Sequence, residues 1–66
     1  MKITLKAARV NKGFTQNQAA EMIGITTRTL IKYESGKSSP RYETLRRIAL
    51  IYSIELDNIE MPKRKK

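Results

Sequence analysis

The two side chains on which most enzyme mechanisms depend are absent: the chain has no histidine and no cysteine. An imidazole general base, a thiolate nucleophile and any imidazole or thiolate metal site are therefore excluded. Carboxylates remain, but Glu21, Glu43 and Glu55 stand without a neighbouring group that would tune one of them into an acid or a base. They read as solvated helix faces. What the chain does carry in excess is cationic hydrogen-bonding chemistry, 14 Lys and Arg against 6 Asp and Glu, for a formal net charge of +8. Guanidinium and ammonium groups in that excess address polyanions, nucleic acid first and an anionic membrane surface second. Neither catalysis nor a cofactor or metal is expected.

The charge is uneven. Lys63, Arg64, Lys65 and Lys66 close the chain as a basic run, leaving ten cations against six acids over residues 1–62. The 66 residues are expected to form one unit over 1–61, followed by a basic tail over 62–66. A chain this short buries only about 60% of the surface it exposes when unfolded, and here no disulfide reinforces it. Regular helix packing, assisted by a second copy of the chain, must supply stability. No apolar run approaches the ~18 residues of a membrane span. Met1 to Val10 is interrupted by Lys2, Lys6 and Arg9 and does not read as a signal peptide, so a cytoplasmic, nucleoid-associated location is expected.

The elements that must position these cations are short helices separated by turn signals. Apolar spacing predicts a first helix from about Thr4 to Lys12, stopped at Gly13. Thr15 with Gln18 three residues on has the form of a capping box, and Phe14 before it is placed to staple onto Ala19. That opens a second helix from Gln16 to Ile23, with Ala19, Ala20 and Ile23 inward, ended by Gly24. Thr26 caps a third helix from Thr27 to about Tyr33, and residues 34–38 read as a loop. Ser39-Pro40 predicts the start of a fourth helix, with Tyr42, Leu45, Ile48, Ala49 and Tyr52 on one side. A short last helix spans about Glu55 to Glu60 and is stopped by Pro62. Periodicity alone describes an all-α, five-helix bundle.

The pair of helices around Gly24 is more particular. A small residue at Ala20 lets two helices cross, Gly24 tolerates the positive φ of a tight turn, and Ile25 and Leu30 fill the angle between them. This is the pattern of a helix-turn-helix. Together with Arg9, Lys12-Gly13-Phe14-Thr15-Gln16, Ile23-Gly24-Ile25-Thr26, Tyr33-Glu34-Ser35-Gly36-Lys37, Pro40, Leu45, Ile48-Ala49 and Ile54, it resembles the Cro/C1-type (lambda-repressor-like, Xre) helix-turn-helix family over about Leu5 to Ile59. The resemblance implies a five-helix domain that binds double-stranded operator DNA, typically as a two-fold dimer.

On that reading the third helix enters the major groove and Thr27, Arg28 and Lys32 face base edges. Arg28 is suited to bidentate pairing with guanine O6 and N7, its alternative being a phosphate. Lys32 reaches a guanine or a phosphate. Thr27 hydrogen-bonds a base or packs on a thymine methyl, and Ile31 covers a thymine methyl or packs on the fourth helix. Gln16 and Asn17 open the second helix, where free backbone N–H groups favour a phosphate, and the family's glutamine there also braces the recognition helix. Lys37, Ser38 and Arg41 surround the start of the fourth helix, which the resemblance makes a second backbone-gripping edge, with Arg41 near the minor groove. It also implies an internal ion pair between Arg9 and Glu34.

Ala19 is smaller than the family's usual residue, and Met22 is expected to fill that space or to lie at an interface. Leu50, Ile51, Ile54, Leu56, Ile59 and Met61 exceed what one inner face needs, so some are expected in a dimer contact. The expected function is a DNA-binding transcriptional regulator, chiefly a repressor. An antitoxin-type autoregulator or a protein-interaction module on the same fold would use the same elements.

Overall fold

The computed structural model describes residues 2–61; Met1, the stop at Pro62 and the basic tail lie outside the described residues. The element order is β1 (Ile3–Thr4), α1 (Leu5–Asn11), α2 (Gln16–Ile23), α3 (Thr27–Ser35), α4 (Tyr42–Tyr52), a 3-10 turn (Leu56–Asn58) and β2 (Ile59–Glu60). Four α-helices are present among the described residues, not five. The predicted last helix is a single 3-10 turn leading into a strand. Ile59 and Glu60 pair in parallel with Ile3 and Thr4. The backbone groups of that segment are satisfied from the far end of the chain, which removes the need for helical bonds. Lys2 Nζ adds a 2.6 Å bond to the carbonyl of Asp57 across the same junction.

Threonines open the first three helices. Thr4 accepts from the Ala7 amide, Thr15 from Gln18 and Thr26 from Thr29, each at 3.1 Å. Around α2 the capping box is complete, because Gln18 Oε1 accepts from the Thr15 amide in return. α3 runs two residues beyond Tyr33, where the sequence pattern predicts its end. Gly36, at φ 83°, is the residue that closes the helix, so Glu34 and Ser35 remain in its last turn. α4 opens later than Ser39-Pro40 predicts: the chain stays extended through Arg41 (φ −68°, ψ 160°), which is the N-cap. Proline constrains the residue before it to extended backbone but does not oblige the next residues to begin a helix.

The core joins Leu5 and Ala8 of α1, Ala19, Ala20 and Ile23 of α2, Leu30 of α3, Ile48, Ala49 and Tyr52 of α4, and Ile59 of β2. Phe14 leans onto this cluster, its ring centroid 6.4 Å from that of Tyr52. Tyr42 does not join it. It is 66% exposed, and the Arg46 guanidinium lies 5.9 Å from its ring centroid. Met22 also fails to fill the space beside Ala19: it is 44% exposed and lines a surface hollow with Phe14, Gln18 and Glu21. One step before Ile23 on a helix is a rotation of about 100°, which carries its side chain off the buried stripe.

Tyr52 is buried, yet its hydroxyl has no hydrogen-bond partner among the described residues. Burial first, then the Glu34 carboxylate, pushes its pKa from 10.0 up to about 12, against an opposing pull from Arg9. The fold thus favours the neutral phenol. The associated stability is complete below pH 10 and is lost as pH rises through about 12. Replacing Tyr52 with phenylalanine removes a buried, unpaired polar atom. The variant is expected to equal or exceed the parent at neutral pH, by up to about 1 kcal/mol, and to lose less stability in that alkaline window. Urea unfolding at both pH values checks this. A variant clearly weaker at neutral pH would overturn it.

Candidate nucleic-acid interface

The angle between α2 and α3 is set by three contacts. The Ala20 carbonyl accepts from both Gly24 (2.9 Å) and Ile25 (3.0 Å), so the chain reverses within one residue of the helix end. Gly24 makes this possible at φ 90°, a left-handed backbone that side-chain-bearing residues adopt at a cost of roughly 1–2 kcal/mol. Arg47 of α4 then reaches across, and its Nη1 donates to the Ile23 carbonyl at 2.8 Å. That places a cation at the negative end of α2 and ties the turn to α4. Sequence spacing does not reveal Arg47, since the bond spans 24 residues.

A second lock joins α1 to the end of α3. Arg9 Nε lies 2.7 Å from Glu34 Oε2, Nη2 donates to Oε1 at 3.3 Å, and Nη1 donates to the Phe14 carbonyl at 2.9 Å. Both side chains are more than nine-tenths buried. Gln16 joins this network, its Nε2 donating to Glu34 Oε1 at 3.1 Å. The first residue of α2 is therefore bound to the last turn of α3. Glu34 reaches these partners because Gly36, and not Tyr33, ends the helix.

With the scaffold held this way, Arg28 and Lys32 lie exposed one turn apart on α3. Ile31 is 46% exposed beside them and lines a shallow hollow with Lys6, Gln16, Glu34 and Ser35. Local spacing does not mark Lys6 as part of this surface. Only the packing of α1 against α3 brings it next to Gln16. Thr27, half-buried, donates its hydroxyl to Asn17 Oδ1 at 2.7 Å, a bond across the two helices. Lys37 and Ser38 follow Gly36, and their amides donate back to the Lys32 carbonyl at 3.0 and 3.3 Å. This return draws both residues to the end of α3. Arg41 is exposed at the cap of α4.

Gln16, Asn17 and Thr27 are thus held where α2 meets α3, Arg28 and Lys32 are exposed along α3, and Lys37 and Ser38 are drawn back to its end. Among the described residues the Arg9–Glu34 contact is the single ion pair, so Arg28, Lys32, Lys37 and Arg41 have no ion-pair partner among those residues. No group of acidic side chains able to hold a metal occurs among those residues, and no helix is long and apolar enough to cross a membrane.

Two short capped helices around a left-handed glycine, crossed over a small alanine and clamped from α1 and α4, define a helix-turn-helix domain. The helix-turn-helix family model matches residues 5–59, and the chain belongs to that family in its Cro/C1-type branch. It is 38% identical over 53 residues to a prophage-derived HTH-type transcriptional regulator, YonR, of Bacillus subtilis (strain 168), covering 80% of this chain and 49% of that protein. It is 34% identical over 55 residues to the HTH-type transcriptional activator BcrR of Enterococcus faecalis, covering 83% and 27%. Over 52 residues it is 31% identical to the phage CTXphi transcriptional repressor RstR of Vibrio cholerae, covering 79% and 47%. The chain spans about half or less of the length of these relatives. No solved structure matches it.

Proposed function

We propose that this chain is the DNA-reading part of a transcriptional regulator, in which α3 enters the major groove of an operator and represses by occluding a promoter. The observation that carries this reading is the set of exposed cations without an ion-pair partner among the described residues. Arg28 and Lys32 stand one turn apart on α3, Lys37 follows the glycine that closes it, and Arg41 is exposed at the cap of α4. Thr27, Arg28 and Lys32 read base edges, while Gln16, Asn17, Lys37, Ser38 and Arg41 grip the sugar-phosphate backbone and set the register. Gln16 performs this with one N–H held by Glu34, so its remaining amide proton and its backbone N–H at the start of α2 are what a phosphate meets.

A two-fold dimer would place two such helices about 34 Å apart on one face of a palindromic site. The contact is narrower than the aliphatic content of the C-terminal third suggested. Ile59 is buried in the core and Ile51, Ile54, Leu56 and Met61 pack half-buried against it. Leu50 stands out, 79% exposed, at the edge of a hollow lined by Arg46, Ala49, Ile54 and Leu56. That edge is where the second copy seats in this reading.

The test is selection of bound duplexes from a random pool, followed by affinity against salt. An enriched palindrome with half-sites about one helical turn apart is the expected outcome. Binding without enrichment, falling steeply with salt, would leave only a basic surface and overturn the operator reading. The basic tail adds unspecific phosphate contacts in this scheme. Deleting residues 63–66 is expected to weaken binding about equally on every duplex. It should also flatten the plot of log affinity against log salt, by about 0.9 for each phosphate that the tail neutralises in the parent. A changed sequence preference after the deletion would contradict that role.

A further inference from the structure

The bond between Thr27 and Asn17 has a direction, and the direction has a consequence for recognition. Thr27 is the first residue of α3 and Asn17 the second of α2. The Thr27 hydroxyl is the donor and Asn17 Oδ1 the acceptor, 2.7 Å apart. A threonine hydroxyl has one proton and two lone pairs. With the proton given to Asn17, Thr27 has only lone pairs left for any third group. Asn17, its carbonyl oxygen engaged, has its two amide N–H donors left. The two neighbouring polar residues therefore present opposite polarities.

We infer that Asn17 is a specificity-determining residue acting through Thr27: by holding the hydroxyl proton, it makes Thr27 an acceptor that selects a base carrying an exocyclic amine. The inference rests on the operator reading above. In the major groove adenine offers its N6 amine and cytosine its N4 amine, whereas guanine O6 and thymine O4 are acceptors. A lone pair of Thr27 is attracted by the first two and repelled by the others. A free hydroxyl would make no such choice, because it can turn its proton outward to a keto oxygen. Asn17 itself meets a phosphate with its N–H groups, a contact that carries no base information.

Four proteins selected against the same random pool test the assignment: the parent, Thr27→Val, Asn17→Ala and Asn17→Asp. Asn17 is exposed, and thermal melts verify that each variant is folded. Thr27→Val locates the base pair that Thr27 reads, as the column whose preference disappears. In the parent that column is expected to separate amine-bearing from keto bases by about five- to tenfold. Asn17→Ala frees the hydroxyl proton, and the discrimination at that column is expected to fall below about twofold while the other columns persist. Asn17→Asp still offers an oxygen acceptor to Thr27. It is expected to keep the parent's preference there while binding every duplex more weakly, since a carboxylate replaces the N–H donors facing phosphate. Persistence of the full preference in Asn17→Ala would overturn the inference, as would a Thr27 column that does not sort amine from keto bases. A parent that enriches no sequence would instead remove the operator reading, and this inference with it.

Discussion

Replacing Arg9 with alanine is expected to cost about 3–5 kcal/mol of folding stability, the usual penalty for leaving one member of a buried ion pair uncompensated. The magnitude follows from the geometry. The guanidinium engages both carboxylate oxygens of Glu34 and the Phe14 carbonyl, with the two side chains 9% and 5% exposed. In the variant, Glu34 would keep one neutral donor, Gln16, for a charge still shielded from water. Small domains have total stabilities of about 5–15 kcal/mol, so this loss is a large fraction of the whole. At about 4–8 °C per kcal/mol the Tm should fall by more than about 12 °C. Operator affinity per folded molecule is expected to change far less, because Arg9 faces the core. Thermal melts with an unchanged midpoint would overturn the prediction. The pair Arg9→Met with Glu34→Leu should recover most of the loss, since the cost lies in the orphaned charge.

The second large effect is on recognition. Arg28→Ala is expected to weaken binding to the selected operator by about 1–3 kcal/mol, about five- to 150-fold. Its effect on a random duplex should be several times smaller. Arg28 lies one residue beyond the start of α3 on its exposed side and has no ion-pair partner among the described residues. Truncation therefore removes an outward guanidinium without disturbing the core. Titrating the parent and the variant against operator and scrambled duplex at two salt concentrations separates base reading from phosphate binding. A base contact relaxes the preference at one base pair. A phosphate contact weakens all duplexes alike and lowers the salt slope by about one. Equal losses on both duplexes would move Arg28 to the backbone-gripping set. Two arginines of one chain thus sit in opposite environments: Arg9 is buried and paired within the fold, and Arg28 is exposed with no ion-pair partner among the described residues.

What the sequence determined alone is whatever depends on neighbours in the chain. The capping box at Thr15 and Gln18, the cap at Thr26, and the glycine at the turn after Ile23 are bonds or dihedrals within four residues. The helix-turn-helix follows from them, as does the α3 face carrying Arg28 and Lys32. The expectation of a fifth helix failed because the backbone partners of Ile59 and Glu60 are Ile3 and Thr4, at the opposite end of the chain. The inward placement of Tyr42 failed for a related reason: α4 begins at that residue, so it lies at the rim of the core and not within it. Tertiary packing alone decided that Arg47 closes the end of α2, that Lys6 comes beside Gln16, and that Gln16 is bound to Glu34. It also decided that the Thr27 hydroxyl gives its proton to Asn17. A hydrogen bond is directional and its range is about 3 Å. Between residues ten or more apart it therefore depends on how the helices are angled, which local spacing does not encode.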